Sequence, residues 1–249
     1  MISSKTFDTY IVLSFLVAVQ TTSAISGFWL PAIAPEVAAS LTIDAAFIGV
    51  PVMLLYLLAM TTSLVAAGFV RRFGAWRTSQ ISLVGFAAAH MVQAQGSIVA
   101  ICIGSLMLGA AYGLVTPPAT HLLSKVVTEK NRNLLFSIRF TGVPIGGFIT
   151  GFLAPDIALN WGWENSLYMT VIIALTLAVI MEPFRGRWDS DRSAQTKMFM
   201  NPWKQMVQLW KLPAIRYVAL FSLCMGAVQT TLTTYTTTAL VEEVGLTLV

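Results

Sequence analysis

Long apolar runs alternate with short polar clusters along the whole chain. Seven runs of Leu, Ile, Val, Ala, Phe and Gly cover about residues 10–34, 46–70, 78–94, 97–122, 134–154, 166–181 and 216–241. A hydrocarbon core of about 30 Å takes about 20 residues of helix at 1.5 Å per residue, so the pattern predicts seven spanning helices. The sixth run is short and can borrow residues from Trp163 onward. The expected fold class is an all-α membrane protein.

Composition supports this reading. The 249 residues are 56% hydrophobic and 10% charged, against roughly 25% charged in an average soluble domain. A water-soluble fold of this size would need a polar shell that the sequence does not supply. Lys5 precedes the first run, and Ala32-Ile33-Ala34 resembles a signal-peptidase site. The run is about twice the length of a signal h-region, however, and Pro35 would follow the cut, so an uncleaved first helix is expected. Cys102 and Cys224 fall within apolar runs without partners at metal-ligand spacing, and read as packing residues.

The charges then set an orientation. Lys5, Arg71, Arg72, Arg77, Lys125, Lys130, Arg132, and the cluster Arg185, Arg187, Arg192, Lys197, Lys204, Lys211 and Arg216 all fall on one side of a seven-helix topology. The opposite loops carry Glu36, Asp44, Asp156, Glu164, Glu242 and Glu243, with no Lys or Arg. Basic residues accumulate in cytoplasmic loops, so the N-terminus is expected in the cytoplasm and the far end outside, the reverse of a seven-helix receptor. The net charge of +4 is thus an orientation signal. It forms no basic stripe with interleaved aromatics, and no nucleic-acid partner is expected.

The longest polar stretch, residues 183–215, reads as a basic cytoplasmic linker between a six-helix bundle over 1–182 and the first helix of a second bundle over 216–249. Within it, Trp203, Met206 and Trp210 at helical spacing with Lys204 and Lys211 on another face suggest an amphipathic helix on the inner leaflet, with a partly ordered tether as the alternative. Ala18-Val19-Gln20-Thr21-Thr22 of the first span recurs as Ala227-Val228-Gln229-Thr230-Thr231 in the seventh, as parallel repeats would have it.

This organisation resembles the major facilitator superfamily of secondary transporters, whose members carry two six-helix bundles. Between the second and third helices that family has a Gly-rich, Asp-Arg-x-Gly-Arg-type turn. Here Arg72, Phe73 and Gly74 match it, while Arg71 stands in place of the Asp and Ala67 in place of the first Gly. The segment from Phe136 to Gly147, Phe-Ser-Ile-Arg-Phe-Thr-Gly-Val-Pro-Ile-Gly-Gly, is similar to a segment of a bacterial subgroup near the cyanate and anion permeases, with Phe140 where that subgroup has Gln. The resemblance implies a bacterial inner-membrane permease, here as its first half and one further helix. The remaining C-terminal helical bundle would then be a partner that this chain lacks.

Candidate transport residues follow from depth in the membrane. Arg139 is the one full charge within a span, where intramembrane charge is costly and usually functional; the alternative is that it snorkels to the inner headgroups. Facing a central cavity, it would bind an anionic group. Gln20 is a second candidate contact in the polar stretch of the first helix, whose neighbouring Ser and Thr can bond their own helix carbonyls. Gln229 and Tyr235, with Thr233 and Thr234, would supply the facing wall. Gly109 and Gly113 in the fourth helix, and Gly142 and Gly146 in the fifth, have small-residue spacing for close helix approach and are plausible moving contacts with Pro144, which with Pro117 and Pro118 adds bends. Arg72 and Gly74 belong to the same packing and gating set. His90 and His121 read as packing residues, with a proton relay as the alternative. No Asp or Glu lies mid-span, so proton coupling through a buried carboxylate has no support in these residues.

No nucleophile with a base, metal-spaced His or Cys, or phosphate-binding Gly loop is present. The chain is therefore expected to be no enzyme and to need no cofactor. The function expected is secondary active transport of a small solute, organic or inorganic anions included, across a multi-pass membrane protein by alternating access. The alternatives are a truncated fragment that does not transport and a membrane-embedded enzyme.

Overall fold

The computed structural model describes residues 4–193, 195, 198 and 203–242. Its helices are α1 (Ser4–Ala32), α2 (Ala34–Leu41), α3 (Gly49–Phe73), α4 (Ala75–Gln93), α5 (Ile98–Tyr112), α6 (Thr116–Val126), α7 (Arg132–Phe140), α8 (Gly142–Trp161), α9 (Trp163–Met181), α10 (Arg185–Trp188), α11 (Trp203–Trp210) and α12 (Pro213–Glu242). No strand occurs among the described residues. The fourth and fifth expected spans are each divided. A turn at residues 113–115 precedes Pro117 and Pro118, and Thr141 separates α7 from the turn that holds Pro144. A proline lacks the N–H that would continue the preceding helix's ladder, which explains why the breaks fall there.

Six helical stretches among the described residues are long and apolar enough to cross a membrane: Phe7–Ala32, Ala45–Phe73, Ile98–Val126, Arg132–Trp161, Trp163–Trp188 and Pro213–Val241. The third expected span, realised as α4, is not among them. Its 19 residues give about 28 Å of helix, but Thr78, Ser79, Gln80, Ser82, His90 and Gln93 are buried in it and lower its apolarity. α4 meets protein on most sides, so its polar groups are satisfied by neighbours: Gln80 donates to the Ala178 carbonyl at 2.9 Å, and Gln93 donates to Ser105 Oγ at 3.0 Å. A hydropathy pattern reads lipid exposure, and α4 has little of it.

Close contacts fix the directions of the helices. Gly142 faces Val17 and Gln20, and Gly146 faces Thr21 and Ala24, so α8 runs parallel to α1. Gly109 faces Leu55, and Gly113 faces Ala59, so α5 runs parallel to α3. Gly85 meets Ala111 while Gly104 meets Ala89 and Gln93, so α4 runs antiparallel to α5. Gln80 bonds Ala178 and Trp76 bonds Met181, which makes α4 antiparallel to α9 as well. α4 therefore traverses the same depth as its neighbours in the opposite sense.

α1 lies at the centre and touches α4, α6, α7, α8, α9 and α12. The core divides into two apolar clusters along it. One holds Leu13, Leu16 and Val19 with Trp76, Phe86 and Met181; the other holds Ile25, Trp29 and Ile33 with Trp163 and Leu167. Between them α1 buries Gln20, Thr22, Ser23 and Ser26. The bundle thus has a polar layer between two apolar ones.

Small residues make the α1–α8 contact possible. A Cβ at Gly142 would lie 2.8 Å from the Val17 carbonyl oxygen, and one at Gly146 would lie 2.7 Å from that of Thr21. By contrast, nothing stands within 4 Å of a Cβ at Gly151. Replacing Gly142 or Gly146 by Val should cost at least about 1–3 kcal/mol from overpacking. Gly151→Ala should be neutral. Thermal unfolding of the detergent-solubilised variants checks the contrast.

Candidate functional site

Arg139 lies in the last turn of α7 and is 1% exposed. It does not reach to headgroup level; its side chain is enclosed by the bundle. Nη2 donates to Gln20 Oε1 at 2.8 Å and lies 3.5 Å from Thr116 Oγ1 on α6. Its guanidinium carbon stands 4.9 Å from the centre of the Phe140 ring. The structure therefore brings together the two residues that the sequence singled out in the first bundle, Arg139 and Gln20, and adds Thr116 and Phe140. Phe140 replaces an amide with a π face that attracts the cation.

Two nitrogens of the guanidinium, Nε and Nη1, are buried without a hydrogen-bond partner. An arginine carries five N–H donors in a fixed fork, and a buried charge with an open edge is costly unless something accepts those protons. Each of these two nitrogens can donate a charge-assisted hydrogen bond to an oxygen of a carboxylate or other oxyanion. Ser26 Oγ and Thr150 Oγ1, on the adjacent α1 and α8, are likewise buried without partners. The neighbouring hydroxyls are satisfied locally: Thr22 bonds the Ala18 carbonyl at 2.9 Å and Ser23 that of Gln20 at 2.8 Å.

The residues expected from α12 lie elsewhere. Gln229 is exposed, and no hydrogen bond joins it to Gln20 or Arg139 among the described residues. Tyr235 reaches the Gly49 backbone at the far end of α3. The five-residue repeat matches depth along the two helices, but depth does not fix which face a side chain takes. Tyr235 instead lines a groove of about 630 Å³ between α3 and α12, with Tyr56 and Thr230. Tyr56 hydrogen-bonds Thr230 and meets Tyr112 edge to face at 6.1 Å. Tyr56 and Tyr112 carried no signal in the sequence, because a lone aromatic residue in an apolar run reads as core.

At the other end of the bundle, Gly74 adopts φ +94° in the turn between α3 and α4, a conformation that suits glycine alone. Arg72 is exposed, with its guanidinium 5.8 Å from the Phe73 ring. The turn lacks its own carboxylate, and Asp189 supplies one. It accepts the Trp76 and Arg77 amide protons at 2.8 and 2.9 Å, capping α4. Burial pushes the Asp189 carboxyl upward, against the pull of those two amides. Asp191 accepts from Lys125 at 2.8 Å and pairs with His121 at 2.7 Å. Burial alone would raise its pKa, yet those two partners bring it down to about 2. His121 is therefore a half-buried hydrogen-bond partner of Asp191 rather than a packing residue. His90 is fully buried, with Nδ1 2.9 Å from Gln93 Oε1. Cys102 is half-buried, and Cys224 is exposed rather than packed.

Parallel and antiparallel spanning helices around a buried polar layer define a polytopic transport-type bundle. The sequence profile of the Major Facilitator Superfamily matches residues 14–249, and the chain belongs to that family. It is accordingly a multi-pass membrane protein of a transporter family and not an enzyme. It is 27% identical over 160 residues to a gallate transporter of Pseudomonas putida, a match covering 64% of this chain and 34% of that protein. It is 28% identical over 151 residues to the 4-hydroxybenzoate transporter PcaK of Pseudomonas aeruginosa (60% and 34%), and 29% identical over 130 residues to sugar carrier protein C of Ricinus communis (50% and 25%). A crystal structure of the peptide transporter POT in complex with sulfate matches with a TM-score of 0.61 at 16% identity, over 95% of this chain and 47% of that one. The matches thus span about a quarter to a third of the length of these curated relatives.

Removing the acceptor of the buried guanidinium should be costly. Gln20→Leu should destabilise the protein by about 1.5–3 kcal/mol, the range for a hydrogen bond to a charged group. Gln20→Glu should retain the contact. Melting temperatures of the two variants in detergent test this.

Proposed function

We propose that the chain is the first bundle and the opening helix of a secondary transporter that moves a small organic anion by alternating access, with Arg139 as its anion-binding residue. The single observation carrying this reading is a guanidinium buried at mid-bundle with its Nε and Nη1 donors unpaired. Gln20 and Thr116 hold Nη2, so the charge is positioned before any ligand arrives. The relatives named for gallate and 4-hydroxybenzoate take aromatic carboxylates by name, and a carboxylate oxygen suits an unpaired guanidinium donor. The likeness of Phe136–Gly147 to the cyanate and anion permeases points the same way. Sugar carriers are also among the relatives, but a neutral hexose would leave the charge without a counter-ion.

In this reading residues 1–182 are one rocking unit, 183–215 a cytoplasmic linker and 216–249 the start of a second bundle. Gln229 and Tyr235 would join the site as that bundle closes. The N-terminus faces the cytoplasm of a bacterial inner membrane, an assignment supported by the one-sided distribution of Lys and Arg. α11 lies on the inner leaflet, with Trp203, Met206, Val207 and Trp210 on one face and all four exposed. The Gly109, Gly113, Gly142 and Gly146 contacts, with Pro144, provide the close packing along which helices could slide.

Uptake into proteoliposomes tests the proposal. The complete protein should take up 4-hydroxybenzoate or gallate in preference to a hexose. Arg139→Gln should lower kcat/KM for the anion by about 10- to 100-fold, as expected from losing one or two charge-assisted hydrogen bonds. Residues 1–249 alone should not transport, because one bundle cannot enclose a site. Unchanged affinity and turnover in Arg139→Gln would contradict the assignment.

A further inference from the structure

The chain does not leave the bundle when α9 ends. Residues 182–193 fold back beneath it and bind four other helices. Arg187 pairs with Asp8 on α1. Asp189 caps α4 through the Trp76 and Arg77 amides. Lys125 of α6 donates both to the Trp188 carbonyl at 2.9 Å and to Asp191, which also takes His121. The Ser193 amide donates to the Arg71 carbonyl at the end of α3 at 2.8 Å. The Trp188 ring stacks on Trp76 with centroids 6.3 Å apart and planes within 15°.

Two features mark this as a built contact rather than a chain draped on a surface. First, Asp189 and Trp188 are both buried, so the segment extends the core. Second, the fit at the turn is mutual. A Cβ at Gly74 would collide with the Asp189 carboxylate, so the glycine and the carboxylate occupy complementary positions. The α3–α4 turn carries Arg71 where the family pattern has an acid, and here the acid arrives from the far side of α9.

We propose that residues 182–193 are a strap that stays bound beneath the first bundle throughout the transport cycle, anchored by Asp189. The strap would keep the ends of α1, α3, α4 and α6 moving as one body. This builds on the two-bundle reading of the chain but not on the identity of the solute.

The test uses the complete protein without other cysteines, carrying Arg71→Cys together with Ser193→Cys. The backbone bond between these residues holds them close, and a disulfide bridges Cα atoms roughly 4.4–6.8 Å apart. Oxidation in membranes should crosslink the pair nearly completely, and the crosslinked protein should transport at a rate within about twofold of its reduced form. Loss of transport on oxidation, restored by reductant, would overturn the proposal by showing that the strap must open.

Asp189→Ala in the same background should slow crosslinking at least about fivefold. An unchanged rate would remove Asp189 as the anchor. Should that variant fail to fold, Asp189→Asn, which keeps one acceptor oxygen, should crosslink at an intermediate rate, and an unchanged rate would again count against the anchor. Crosslinking is read without substrate, so failure of the strap is distinguishable from failure of the anion assignment at Arg139.

Discussion

A guanidinium enclosed within an apolar bundle constrains everything around it. Such a charge is expensive to bury, and the expense falls only if the surrounding helices present acceptors at the right depth. Arg139 draws Gln20 from α1 and stands within reach of Thr116 from α6. The polar layer of α1, flanked by two apolar clusters, lies at that depth. For α1 to occupy the centre, α8 must come close to it, and Gly142 and Gly146 allow that approach. Thr116 follows one of the two breaks and Arg139 precedes the other, and their side chains meet.

The opposite design problem is solved at the bundle's cytoplasmic-side end in this reading. There the helix ends carry charge, and carboxylates from the segment after α9 neutralise them. Asp189 accepts from the Trp76 and Arg77 amides at the start of α4, where the helix dipole favours an anion. The paired Asp191 is brought below the usual carboxylate range by Lys125 and His121. Charge that would be costly in the middle of the bundle is abundant at this end, because water and counter-ions are available to it.

Much of this was legible in the sequence. Apolar runs of spanning length gave the helices, and the prolines gave the two breaks. Arg139 and Gln20 stood out because polar side chains are rare within spans. What was not legible depends on faces rather than depth. α4 is the least apolar of the expected spans because it is wrapped by protein, so a criterion based on lipid exposure passes over it. Gln229 repeats the position of Gln20 along its helix but not its contacts. Asp189 lies over a hundred positions from the turn it caps, and no local pattern announces such a pairing. Thr116 and Phe140 could have been suspected, since each sits beside a break that turns a helix toward Arg139.

The most direct test of the account is a structure of the complete protein with a bound aromatic carboxylate. The account predicts a carboxylate oxygen within hydrogen-bond distance of Arg139 Nε or Nη1, with Gln20 still accepting from Nη2. Those two nitrogens paired instead to a carboxylate of the protein, with the ligand bound elsewhere, would contradict it.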